Sequence, residues 1–66
     1  MNDVIHVRLE PTHINYVNRI MEGYEYLGVV TTVNSCEGII AIRVTPDTVN
    51  DVRTILANLP IAFEYL

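Results

Sequence analysis

Arg8 and Arg43 are the side chains best suited to hold an anion, and they stand at matching places in a repeat. RLEPTHINYVNRI starts at Arg8, and RVTPDTVNDVRTI starts at Arg43, 35 residues later. Arg8, Pro11, Asn15, Val17 and Ile20 recur as Arg43, Pro46, Asn50, Val52 and Ile55, while Leu9 and Ile14 return as Val44 and Val49. A guanidinium requires a carboxylate, a phosphate or water. Both arginines are therefore candidate anion contacts, with internal carboxylates such as Glu64 as the competing partners. The remaining reactive groups form no constellation. His6 and His13 lack the spacing of a metal site, and Cys36 lies in a distant, turn-forming stretch. Ser35 and Cys36 have no sequence-adjacent base to activate a nucleophile. There is no Gly-rich phosphate loop. The pattern points away from an enzyme, and neither a metal nor an organic cofactor is expected.

The 66 residues suffice for a single domain, expected over 1–66. A chain this short buries only about 60% of its unfolded surface, so association would add to a modest stability. Half of the residues are hydrophobic, which a globular fold requires. The chain has no Lys, and four Arg against eight Asp and Glu give a net charge of −4. That balance argues against nucleic acid and against an anionic membrane surface as partners. A single cysteine, Cys36, excludes an internal disulfide and a multi-cysteine zinc site. The opening MNDVIHVRLE alternates and carries charge, unlike a signal peptide or a membrane span. The expected compartment is the cytoplasm, with Cys36 reduced.

These side chains must be positioned by a βαββαβ succession. Residues 4–9 alternate as a half-buried strand. Pro11 then suits a first helical turn, and Ile14, Val17, Met21 and Tyr24 follow as one apolar helical stripe. Gly23 is expected to stop that helix in the left-handed conformation, and Asn58 matches it in the second half. Residues 27–33 are rich in β-branched side chains, 34–38 have turn chemistry, and 39–45 form a third strand. Thr45 is the expected N-cap and Pro46 the first residue of a second helix, whose stripe is Val49, Val52, Leu56 and Leu59. Pro60 ends it, and 61–65 form a last strand.

Each half is one β-α-β unit, and two interleaved units predict an α+β, ferredoxin-like sandwich. Its four-stranded antiparallel sheet has strand order 4-1-3-2, with both helices on one face. The covered face takes Ile5, Val7 and Leu9 with Ile40, Ile42 and Val44, and the open face takes Val4, His6 and Arg8 with Ile39, Ala41 and Arg43. If His6 pairs with Ala41, Arg43 lies opposite Val4, and the arginines stand about 13 Å apart at roughly 3.3 Å per residue. Glu64 is expected on the same face, beside His6. The central strands carry no Phe, Tyr or Trp on which nucleic-acid bases would stack. Strand 2 is an edge with no charge and no Pro, which predicts that it is covered, most simply by the same strand of a second copy. A homodimer through strand 2 and helix 1 follows, with Tyr16, Tyr24 and Tyr26 available for interface contacts.

The element order and the run EPTHINYVNRIMEGYEYLGVV resemble the small ligand-sensing modules called ACT domains. The chain is more similar still to a family of short, uncharacterised bacterial proteins that share the strand-Pro-helix opening, the Gly-Tyr helix exit and the LGVVTT-like strand. The ACT resemblance implies a non-catalytic regulatory module that pairs with a second copy and binds a small amino-acid-like or anionic ligand at the interface. It assigns one wall of the site to Glu10, Thr12 and His13 after strand 1, where this sequence lacks the glycine common in such loops. The other wall falls to Leu27, Gly28 and Val29, with Gly28 permitting close backbone approach. A protein-interaction module without a small-molecule ligand is the alternative.

Overall fold

A computed structural model describes residues 3–66, so the first two residues of the expected 1–66 domain lie outside the described residues. The elements are β1 (Asp3–Leu9), α1 (Ile14–Glu22), β2 (Val29–Asn34), β3 (Ile39–Val44), α2 (Val49–Ala57) and β4 (Phe63–Tyr65). All strand pairings are antiparallel, and the sheet order is β2-β3-β1-β4, which is 4-1-3-2 from the opposite edge. Strand alternation sorts β1 and β3 as their sequences dictate. Ile5, Val7 and Leu9 are buried beside Ile40, Ile42 and Val44, while Val4, His6, Arg8 and Arg43 are exposed. His6 pairs with Ala41, Val4 with Arg43 and Arg8 with Ile39.

Both helices bury their apolar stripes in this one core. Ile14, Val17 and Met21 enter from α1, and Val52 and Leu56 from α2, with Val49 and Leu59 packed at the margin. The repeat is structural as well as sequential. Each end of α2 lies 35 residues after the matching end of α1. Buried Val7 and Val17 correspond to buried Ile42 and Val52 at the same offset.

The helix ends differ from expectation. Pro11–His13 is a 3-10 turn, and α1 begins only at Ile14. Pro46 likewise lies in a turn, and the N-cap of α2 is Thr48 rather than Thr45. The cause is a tighter first turn, in which the His13 N–H donates to the Glu10 carbonyl at 2.8 Å and the Thr48 N–H to the Thr45 carbonyl at 3.0 Å. Thr48 Oγ1 reaches back to accept the Thr45 N–H at 3.0 Å, which holds this turn closed. Gly23 and Asn58 do cap the two helices, but with φ of −70° and −94° neither is left-handed. Short i→i−3 bonds close both ends instead, and the Asn58 side chain donates to the Thr54 carbonyl at 2.8 Å. Tyr24 falls past the helix and is exposed rather than part of the buried stripe.

The strands are also shifted. β2 starts at Val29, not at residue 27, and ends at Asn34 after a bulge that leaves Val33 without a partner. β4 is confined to Phe63–Tyr65, since 59–61 bend after the helix. The 34–38 turn is held by the Asn34 side chain, which accepts the Glu37 N–H at 3.1 Å and donates to the Glu37 carboxylate at 2.9 Å. Gly38 has φ of 74°, and a Cβ there would collide with the Leu9 carbonyl, so the turn folds back on the end of β1 only with glycine. Among the described residues, no helix is long and apolar enough to cross a membrane.

Candidate functional site

The two arginines share the open sheet face but differ in their neighbours. Arg8 faces Glu64 across the β1–β4 pairing, and their side chains form an ion pair of 3.1 Å. Glu64 thus lies beside Arg8 rather than His6, because β4 pairs with the end of β1. The His6 carbonyl instead accepts the Leu66 N–H at 2.9 Å. Arg43 faces Val29 across the β3–β2 pairing and forms no ion pair among the described residues. It borders a shallow hollow with Tyr26, Gly28 and Thr45.

The two walls implied by the resemblance are not brought together within one chain. β1 and β2 both run antiparallel to β3, so they run parallel to each other. The end of β1 meets the start of β3 at Ile39, whereas the start of β2 meets its end at Arg43. Glu10, Thr12 and His13 therefore lie at one end of the sheet, and Leu27, Gly28 and Val29 at the other, about 13 Å away along the strands. Glu10 borders a shallow recess with Arg8, Pro11 and Phe63. Half-buried His13 has its Nδ1 atom enclosed without a hydrogen-bond partner. Gly28 is close against β3: a Cβ there would lie 2.9 Å from the Arg43 carbonyl oxygen.

A groove of about 310 Å³ lies between α1 and β2, which sequence reasoning did not assign. Its floor is Met21, Gly28 and Val30, and Asn18, Glu22, Glu25 and Thr32 supply its polar groups. The repeat explains why it is empty of side chains. Its residues Asn18, Gly28 and Val30 stand 35 places before Arg53, Phe63 and Tyr65. In that half, the Arg53 guanidinium lies 5.4 Å from the Tyr65 ring centroid, and Phe63 meets Tyr65 edge-on at 5.3 Å. Small or short side chains at the matching positions leave the α1–β2 side unfilled. The sequence signal was the pair Glu22 and Glu25 at the helix exit, just before an uncharged edge strand.

The bare edge, the groove and the unpaired arginine all converge on β2. Among the described residues, no three His, Cys, Asp or Glu side chains gather as a metal would need. Cys36 is a free, exposed thiol in the hairpin turn. These features define a small α+β domain whose distinctive surface is a sheet edge. The chain belongs to the family described as "Domain of unknown function (DUF4911)", whose model matches residues 7–62. No curated protein and no solved structure matches it.

Proposed function

We propose that this chain is a non-catalytic, ACT-like regulatory module with a ferredoxin-like sandwich fold, acting as a homodimer through β2 and α1 and sensing a small amino-acid-like or anionic molecule. The observation that carries this reading is the β2 edge, which pairs with β3 alone and carries no charge. Antiparallel pairing of two β2 edges sets the start of β2 in one copy beside the end of β2 in the other. Leu27, Gly28 and Val29 of one copy then lie at the same end of the joined sheet as Glu10, Thr12 and His13 of its mate, three strands across, or about 14 Å. The exposed Val29, Tyr24 and Tyr26 at this edge support the same association. A bacterial cytoplasm, where the free Cys36 stays reduced, is the setting that goes with it.

Thermal melting against amino acids, nucleotides and simple anions tests the ligand half of the proposal. A ligand at about 100 times its dissociation constant should add roughly 2.7 kcal/mol to stability. If none of them shifts the melt, the chain is better read as a protein-interaction module, which the open groove beside β2 favours.

A further inference from the structure

The outer side of β2 is the place where the fold is least complete. β2 pairs with β3 alone, so alternate residues of 29–32 point their N–H and C=O groups away from the sheet. The bulge at Val33 twists the far end of the edge, leaving 29–32 as the stretch along which another strand can run. On the helix side, Val30 and Thr32 border the groove, and Glu22 and Glu25 stand over it. Neither carboxylate has an ion-pair partner among the described residues. The other half of the molecule shows what fills such a groove: a guanidinium lying on an aromatic ring of its own edge strand. The positions that match Glu22 and Glu25 are Ala57 and Pro60, so the acidic rim belongs to the α1–β2 side only.

We propose that the β2 edge takes up an extended basic segment of another protein, added as a fifth strand, whose alternate Lys or Arg side chains enter the groove and pair with Glu22 and Glu25. Charge decides the occupant. A strand added here presents every second side chain to the helix face, about 6.7 Å apart. Those side chains meet carboxylates with an apolar floor of Met21 and Val30, which suits a long aliphatic stem ending in a cation. A second copy fits less well, because β2 carries no charge and the chain has no Lys. Self-pairing leaves Glu22 and Glu25 of each copy beside a β2 strand that brings no cation to them. The inference goes beyond the homodimer reading and assigns a competing occupant to the same edge.

The test uses a capped peptide of about eight residues alternating Thr and Lys, titrated into the isotopically labelled full chain at low salt. Binding with a dissociation constant below about 1 mM is expected, with amide shifts concentrated at 29–32 and in α1. Glu22→Gln with Glu25→Gln should weaken it by about five-fold or more, and added salt should do the same. Both positions are exposed, so the double variant keeps the fold. A peptide alternating Thr and Glu should not bind, and N-methylation at alternate backbone positions of the Lys peptide should abolish binding in one register but not the other. Absence of binding up to millimolar peptide, equal binding to the double variant, equal binding of the Glu peptide, or shifts centred on another surface would each overturn the proposal.

Discussion

The two edges of the sheet are built from matching residues and end differently. At the β4 edge, Glu64 faces Arg8, while Phe63 and Tyr65 lie against the core and Arg53. At the β2 edge, the matching rungs set Val29 against Arg43, with Gly28 and Val30 beside it. Val29 and Glu64 are themselves 35 residues apart. One frame therefore offers two equivalent edge sites, and the chain fills one with its own charges and aromatics. The other keeps an unpaired guanidinium on one face, an open acidic groove on the other and free backbone between them. A core tolerates this asymmetry because it depends on Ile42 and Val7, which are equivalent, and not on what decorates the edges.

The largest effects should respect the symmetry. Val7 and Ile42 are both fully buried, so Val7→Asp and Ile42→Asp should each cost more than about 4 kcal/mol by burying an unpaired charge. That is comparable with the whole stability of a domain this size, and circular dichroism should show both variants unfolded at room temperature. If only one unfolds, the halves do not share the core equally.

The arginines should break the symmetry. Arg8→Gln removes an ion pair whose side chains are 49% and 61% exposed, so it should cost no more than about 1 kcal/mol in chemical denaturation. Arg43→Gln should leave stability within about 0.5 kcal/mol of the parent, and any loss should appear in anion binding or association. Equal destabilisation by both would mean that Arg43 has an internal partner after all. A small gain rather than a loss comes from copying one edge onto the other. Val29→Glu gives Arg43 the cross-strand carboxylate that Arg8 has in Glu64, and should add about 0.2–1 kcal/mol that salt removes.

Much of this frame is legible in the residues. Alternation in β1 and β3 assigns every core-facing side chain, and the repeat of Arg8-to-Ile20 at Arg43-to-Ile55 announces two like units. The register that sets Val4 opposite Arg43 follows once His6 pairs with Ala41, a pairing the sequence left as a condition and the structure supplies. What escapes is local geometry set by tertiary contacts. Thr48 caps α2 because Thr45 is held in a tight turn, and the helices end without left-handed residues because i→i−3 bonds close them. The bulge at Val33 and the placing of Glu64 against Arg8 depend on where an edge strand stops. The groove was hidden for the same reason: no periodicity reveals that Asn18, Gly28 and Val30 leave space where Arg53, Phe63 and Tyr65 fill it. The walls implied by the ACT resemblance come from elements at opposite ends of one sheet, which only the strand directions disclose.

The central claim is that β2 is the working edge and that, with no other protein present, two copies pair along it. Sedimentation equilibrium of the purified chain at tens of micromolar, an order of magnitude suited to weak dimers, tests it most directly when run beside Thr31→Lys, which sets a charge on the exposed edge. The account predicts a dimer for the parent and a monomer of unchanged fold for the variant. A parent that sediments as a monomer throughout, or a variant that dimerises as tightly as the parent, would contradict it.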